Sequence, residues 1–332
     1  MKALVTGATG FLGMCLARRL HQTGWDVTAV GRDKERGALL TADGIRFLPL
    51  DLGDKEAVLR AGERQQAVFH CAGLSTVWGT YADFYAGNVA ATEHMIEAAQ
   101  RHGAQRFVLV STPSVYFDYT DRLGVGEDSE LPARFANDYV RTKYLAEERV
   151  REAMKDGLSA IILRPRALFG PGDRALFPRL MRANRERGIP LIDGGRALLD
   201  LTYVDNAAEA LICCARAPES ACGEVYNISN GEPIRFVDAV NRLFAEMGET
   251  PRYRRVPYRT AFGIAAGMEA AYRLFKLNGE PPFTRYSVGV VSRSQTLDIR
   301  KAREKLGYEP RVGLQEGFAR FAAWWKQENA SR

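Results

Sequence analysis

Cysteine and histidine are scarce in this chain, and their scarcity excludes two large classes of protein. The five cysteines, Cys15, Cys71, Cys213, Cys214 and Cys222, form no C-x-x-C pair and keep no regular spacing. An odd number of scattered thiols in a chain long enough to bury its own core reads as reduced cysteine in a cytoplasmic setting, not as a disulfide scaffold. The four histidines, His21, His70, His94 and His102, include no H-x-x-x-H pair, and no metal site is expected. Long apolar runs are missing as well: no stretch approaches the roughly 18 residues of a membrane span. The mostly apolar stretch from Ala3 to Ala17 mimics a leader. However, Gly7, Gly10 and Gly13 interrupt it, and Arg18 and Arg19 follow without a small-residue cleavage site. A dominant charge is also lacking. Lys and Arg total 46 and Asp and Glu 40, leaving +6 spread along 332 residues. The denser basic groups at 179–187 and 252–259 read as solvated faces, and no nucleic-acid partner is expected.

What is present is an alternation. Short β-branched runs are expected as strands at 2–6, 26–30, 45–50, 67–71, 107–111, 160–164 and 225–228, with helices between them at 11–22, 55–61, 84–101 and 136–155. This rhythm predicts an α/β fold, a Rossmann-type doubly wound parallel sheet with helices on both faces. After Gly170-Pro171-Gly172 it breaks. A helix is expected at 177–186 and another near 314–325, with a Pro- and Arg-rich stretch between. Residues 1–170, together with about 200–230, are therefore read as the nucleotide-binding domain. Residues 171–199 and 231–332 are read as a smaller, interleaved C-terminal substrate domain.

The turn after the first strand carries Gly7-Ala8-Thr9-Gly10-Phe11-Leu12-Gly13 and opens a helix. Glycines here allow a tight turn, close approach of backbone to a pyrophosphate, and close packing of helix on strand. The helix N-terminus then offers N–H groups and a positive dipole to the phosphates. At the end of the second strand Arg32 is placed to pair a 2′-phosphate, which favours NADP. Asp33, one residue later, is the competing candidate for a ribose hydroxyl and hence for NAD. Asp51 and Leu52 after the third strand flank the expected adenine. Cys71, Ala72 and Gly73 after the fourth line the dinucleotide.

Tyr139 and Lys143 are four residues apart on an expected helix and so share a face. A phenol titrates near 10, too high for proton exchange at neutral pH. A neighbouring ammonium and an oxidised nicotinamide both favour phenolate. Tyr139 is thus the candidate acid and base at an alcohol or carbonyl oxygen, with Lys143 also holding the nicotinamide ribose.

With these motifs, the chain resembles the extended short-chain dehydrogenase/reductases over nearly its whole length. Further likeness lies in Asn88-Val89-Ala90-Ala91-Thr92, Ser111 through Tyr116, Leu163-Arg164-Pro165, Gly170-Pro171-Gly172-Asp173 and Tyr203-Val204-Asp205-Asn206. The resemblance implies that Thr112 binds the substrate oxygen beside Tyr139, with Ser111 and Ser114 as the alternatives of register. It also implies that Pro165 lies near the nicotinamide carboxamide. It further implies a homodimer through the 84–101 and 136–155 helices, with Ala90, Ala91, Met95, Ile96, Ala98 and Ala99 as contact positions unless they pack against the sheet.

Three polar functions of the sugar-nucleotide epimerases and dehydratases are missing, at Ala167, at Leu199 and at Pro113-Ser114. What remains resembles the 3β-hydroxysteroid dehydrogenase-like branch, including bacterial 2-alkyl-3-oxoalkanoate reductases. The resemblance implies reversible reduction of a ketone on a small hydrophobic substrate. A β-keto or β-hydroxy acyl compound comes first and a 3-hydroxysteroid second; an NAD-dependent sugar-nucleotide epimerase is the alternative. Trp78 and the apolar 261–275 stretch either line a lipid-sized pocket or pack within their own domain.

Overall fold

Seven strands form one sheet in the structure, a computed structural model that describes residues 1–330. They are β1 (Lys2–Thr6), β2 (Asp26–Gly31), β3 (Arg46–Pro49), β4 (Ala67–His70), β5 (Arg106–Val110), β6 (Ala160–Pro165) and β7 (Val225–Ile228). All six pairings are parallel, in the order β7-β6-β5-β4-β1-β2-β3. β4 is buried at every position and β1 exposes only Lys2, because helices cover both faces. The chain reverses direction of travel between β1 and β4. The crevice beyond their carboxyl ends is where ligands bind in such sheets.

On one face α1 (Phe11–Gln22) lies against α8 (Val204–Arg216). On the other pack α3 (Lys55–Ala61), α5 (Ala91–Arg101) and α6 (Asp138–Lys155). A further helix, α2 (Lys34–Ala42), was not expected from periodicity; Asp33 starts it by accepting the Arg36 N–H at 3.0 Å. The single helix expected at 84–101 is three pieces: α4 (Tyr81–Phe84), a π-helical turn Tyr85–Ala90, and α5. Within that turn Asn88 spends its side chain on Leu74 and Thr142, while its carbonyl accepts the Thr92 hydroxyl at 2.6 Å. Such inserted bonds disturb the regular ladder. The helix expected from 136 begins at Asp138, because Asn137 caps it through the Val140 N–H at 2.9 Å.

One expectation about contact positions is corrected here. Met95, Ile96, Ala98 and Ala99 are buried in the chain's own core with Val58, Leu59, Phe107 and Val150, and Ala91 is buried too, so these five present no free surface to a second copy; Ala90 is half-buried. Packing them against the sheet removes their apolar area from water within one chain.

Beyond Gly170 the chain adds α7 (Leu176–Glu186), α9 (Phe236–Met247), α10 (Tyr258–Leu274), α11 (Arg285–Ser292), α12 (Arg300–Leu306) and α13 (Leu314–Ala330). The last runs past the expected end at 325. Short strands at Leu198–Leu199, Ile234–Arg235, Gln295–Leu297 and Arg122–Val125 form a second sheet. A separate apolar core gathers Phe169, Phe177, Leu243, Phe244, Phe318 and Phe321. Among the described residues no helix is long and apolar enough to cross a membrane.

Candidate active site

The turn between β1 and α1 has no room for side chains. Gly7 sits at φ +65°, and a Cβ there would meet the Ala72 backbone at 2.8 Å. A Cβ on Gly13 would lie 2.2 Å from the Gly7 carbonyl oxygen, and one on Gly31 only 2.5 Å from Thr9 Oγ1. Gly10 opens α1 with no capping side chain, and the first turn contains no acid. This bare, uncapped helix end fits a dinucleotide pyrophosphate, with Phe11, Leu12 and Gly13 supplying the first backbone N–H groups. Ala72 is fixed by donating its N–H to Thr6 Oγ1 at 3.2 Å. Gly73 lies close to both Asn88 and Lys143: a Cβ on it would stand 3.0 Å from Asn88 Oδ1 and 3.5 Å from Lys143 Nζ. Burial pushes the neighbouring Cys71 thiol up to about 12, so it is inert at neutral pH. At the rim the side chain of Arg32 is 77% exposed, 3.8 Å from Asp51. Leu52 is anchored through its carbonyl, 2.8 Å from His94 Nδ1. The Asp33 carboxylate is already engaged at the start of α2.

Tyr139 and Lys143 stand one turn apart on α6, as their spacing requires. Lys143 donates to the Val110 carbonyl at 2.6 Å. Burial draws its ammonium down to about 8, against the charges of Glu147 and Cys71. Burial also pushes the Tyr139 phenol well above its ordinary value. Tyr286 adds to that push, and the Thr112 hydroxyl opposes it. The expectation that Lys143 lowers the phenol is therefore not met by the chain's own groups. The ammonium is tied to Val110, and desolvation dominates at Tyr139.

Three hydroxyls compete for the role beside Tyr139, and the geometry separates them. Ser111 donates to Glu147 Oε1 at 2.5 Å, away from the phenol. Ser114 Oγ receives the Tyr286 hydroxyl at 2.7 Å and the Thr112 hydroxyl at 3.0 Å. Thr112 is the one of the three whose hydroxyl opposes the upward shift of the Tyr139 phenol. Pro165 ends β6, beside Ile228 of β7.

Beneath this surface Glu147 is fully buried and binds Arg164 through two hydrogen bonds, at 2.8 and 2.5 Å. Arg164 also donates to the Tyr116 hydroxyl at 2.5 Å, which in turn donates to Asn227 Oδ1 at 3.1 Å. Burial alone would raise the Glu147 carboxyl. The Arg164 charge and hydrogen bonds, with Arg151, hold it below its ordinary value.

Reading the sequence missed Tyr286, which comes from α11 and carried no local signal. The 261–275 stretch divides between its two readings. Phe262 meets Tyr119 edge-on at 5.8 Å, and Tyr272 meets Trp78 edge-on at 6.2 Å, so α10 bridges two loops. Ile264, Leu274 and Phe275 remain exposed. Two open surface hollows, around Glu127 and Lys301 and around Asp118 and Arg122, hold none of the candidate residues.

A sheet that reverses at a glycine-lined crevice, with a Tyr–Lys pair at its rim, defines an NAD(P)-dependent oxidoreductase acting on CH–OH groups. The chain belongs to the NAD dependent epimerase/dehydratase family, whose pattern it matches over residues 3–229, within the extended short-chain dehydrogenase/reductases. It is 38% identical to a 2-alkyl-3-oxoalkanoate reductase of Stenotrophomonas maltophilia (strain K279a) over 97% of this chain and 99% of that protein. To a 4-hydroxy-2-methyl-3-oxo-4-farnesyl-3,4-dihydroquinoline-1-oxide ketoreductase of Stigmatella aurantiaca it is 32% identical, covering 96% and 94%. The structure of UDP-glucuronic acid 4-epimerase from Bacillus cereus in complex with NAD shares the fold, with TM-score 0.78 at 22% identity over 99% of each chain.

Proposed function

We propose that the chain is an NADP-dependent ketoreductase interconverting a ketone and a secondary alcohol on a hydrophobic β-keto or β-hydroxy acyl compound. A 3-hydroxysteroid is the second choice of substrate. The observation that carries the reading is the enclosed cluster of Tyr139, Thr112, Ser114 and Tyr286. It gathers hydroxyls at one point, and α10 presents Phe262 and Tyr272 to Tyr119 and Trp78. When bound, the nicotinamide delivers or accepts the hydride. Thr112 orients the substrate oxygen, and Tyr139 gives it a proton during reduction and takes one back during oxidation. Lys143 holds the ribose and helps to set the position of α6 against β5.

The NADP preference is supported by the exposed Arg32 guanidinium and by the commitment of Asp33 to capping α2. A charge-assisted hydrogen bond is worth about 1.5–3 kcal/mol, so Arg32→Ala should weaken NADPH about 10- to 150-fold and leave NADH nearly unchanged. Wild type preferring NADH would return the choice to Asp33. The division into a nucleotide domain (1–170 with about 200–230) and a substrate domain belongs to the same reading. So does a homodimer, carried by the outward faces of α5 and α6 and tested by light scattering.

The deciding experiment is a series of β-keto esters of increasing chain length, assayed with NADPH with and without UDP. Each buried methylene contributes about 0.8 kcal/mol, close to fourfold, so kcat/KM should climb until the pocket fills. A flat series strongly inhibited by UDP, or protein purified with tightly held NAD, would establish the epimerase alternative instead.

A further inference from the structure

Tyr286 reaches the hydroxyl cluster from far along the chain, and several contacts fix its place. Thr284 starts α11 by accepting the Ser287 N–H at 3.0 Å. Arg285 gives its main-chain N–H and its Nε to Glu269 of α10, at 2.7 and 2.8 Å. The Tyr286 ring meets Phe117 edge-on at 5.7 Å. Gly289 brings α11 so near the same loop that a Cβ there would stand 2.8 Å from the side chains of Phe117 and Tyr119. The polar atom so delivered is the phenol oxygen, 2.7 Å from Ser114 Oγ. Tyr226 and Tyr308, buried elsewhere, end on main-chain carbonyls, which only accept. Tyr286 ends on a hydroxyl, which both accepts and donates.

Ser114 is bonded onward. Its N–H donates to Thr112 Oγ1 at 3.2 Å, and the two side-chain oxygens are 3.0 Å apart. The turn Pro113–Tyr116 packs on α6, and Thr112 lies two residues past Val110, whose carbonyl holds Lys143. The three hydroxyls Thr112, Ser114 and Tyr286 thus bring three protons to two oxygen–oxygen contacts, and one proton is left over. A phenol is more acidic than an alcohol, so Tyr286 is the donor of its pair and Ser114 the acceptor. In the structure Thr112 donates to Ser114 as well, and the unspent proton is that of Ser114. Turning two hydroxyls, with no heavy atom moved, reverses the second bond. Ser114 then donates to Thr112, whose Oγ1 accepts both the N–H and the O–H of Ser114, and the unspent proton is that of Thr112. Ser114, which is buried, keeps a donor in both arrangements only because Tyr286 supplies one. Without that hydroxyl the reversal would leave the Ser114 oxygen unsatisfied, and Thr112 would stay committed to it.

Resting on the ketoreductase reading above and its placing of Thr112 at the substrate oxygen, we infer that Tyr286 is a positioning residue: by donating to Ser114 it releases the Thr112 proton for the reacting oxygen. The released bond strengthens as negative charge gathers on that oxygen during hydride transfer, so its effect falls mainly on kcat.

The test is steady-state reduction of whichever β-keto ester of the series wild type uses fastest, with NADPH and separately with NADH. Tyr286→Phe keeps the ring against Phe117 and removes one hydroxyl. It should lower kcat about 2- to 12-fold, the worth of one neutral hydrogen bond, and leave KM nearly unchanged. In Thr112→Ala the same substitution should cost nothing further, because the proton it releases is gone. The double variant Tyr286→Phe/Ser114→Ala should recover rate over Tyr286→Phe, because the rival acceptor for Thr112 is removed. Wild-type kcat in Tyr286→Phe overturns the inference. So does a double variant with Ser114→Ala that is no faster than Tyr286→Phe, or an undiminished loss in Thr112→Ala; both mark a packing role. The double variant orphans no polar group, so it decides the matter even if Tyr286→Phe proves too unstable to assay: near-wild-type kcat supports the inference, and a loss of about tenfold or more overturns it. No reduction of any ester by wild type with either cofactor overturns the ketoreductase reading itself, and the inference with it.

Discussion

Two arginines flank Pro165 and meet opposite fates. Arg164 is buried among partners chosen for it: both oxygens of Glu147, the Tyr116 hydroxyl, and the Tyr116 ring at 4.8 Å from its guanidinium carbon. Arg166 is also buried and makes no side-chain hydrogen bond; only the charges of Asp200 and Tyr286 act on it. The Arg164 network is the closed side of the comparison, inside β6, and braces α6 under Tyr139 and Lys143. Arg166, two residues on and just past the end of β6, stands on the open side, within electrostatic reach of Tyr286 and Asp200. The contrast shows that a buried charge is paired most completely where strand and helix both hold its partners.

The largest effect that would sharpen this contrast is on the open side. Tyr139→Phe should keep the fold and cofactor affinity while lowering turnover about 10²–10⁴-fold, the usual worth of a positioned acid or base. Near-normal turnover would move the proton transfer elsewhere. Thr112→Ala should lower turnover by a smaller factor. A greater loss in Ser114→Ala would shift the substrate-oxygen role to Ser114.

On the closed side, Arg164→Met leaves Glu147 charged in the interior with only Arg151, at 2.9 Å, and the Ser111 hydroxyl as partners. Breaking such a pair costs about 3–5 kcal/mol, which urea denaturation should show as a lowered midpoint. A loss below about 1 kcal/mol would mean that the network braces little.

Two titrating groups extend the comparison in opposite directions. His70 is fully buried and satisfied on both nitrogens, by Thr6 at 2.8 Å and Thr92 at 3.0 Å. Burial, with the charge of Lys143, lowers it to about 3. The unfolded chain therefore binds a proton below about 6.5 that the native state refuses, and stability falls on acidification at roughly 1.4 kcal/mol per pH unit. Asp200 has the reverse sign. Burial raises it to about 6 against the Leu297 N–H and the Arg166 charge. Its ionised form is thus penalised in the native state, and its contribution improves as pH falls from 6 toward the unfolded value. Between pH 6 and 4.5 the two nearly cancel. Asp200→Asn should expose the His70 slope in that window, visible in denaturation midpoints across pH; an unchanged slope would sink the opposition.

The smallest effect expected is again at Arg166. Arg166→Gln should change unfolding free energy by less than about 1 kcal/mol, since it breaks no side-chain hydrogen bond and removes only the charge that offsets the burial of Asp200. A loss as large as that of Arg164→Met would erase the distinction between the two sides.

Much of this was legible locally. The seven strands stand within a residue or two of their β-branched runs, because a parallel strand buried on both faces must be apolar throughout. The glycine turn was readable because each glycine answers a backbone clash only a few residues away or on the next strand. Less legible was the helix across Asn88. Its periodicity is helical throughout, but the π-turn depends on side-chain bonds to Leu74 and Thr142, which no period encodes. The contact face expected at Ala91–Ala99 failed for a related reason. Small apolar residues suit a sheet and a dimer equally well, and only packing decides between them.

The sequence by itself therefore determined what short-range geometry enforces. This includes the strand–turn–helix that fits a pyrophosphate and the i, i+4 placement of Tyr139 and Lys143. Tertiary structure alone decided the bonds of the three neighbouring hydroxyls: Ser111 donates to Glu147, while Thr112 and Tyr286 both donate to Ser114. It also decided that Lys143 is bound to Val110, and that one of two arginines in the same short motif is hydrogen-bonded through its side chain while the other is not. Those outcomes depend on partners from α6, α11 and the second sheet, brought together only when the interleaved chain closes over the sheet.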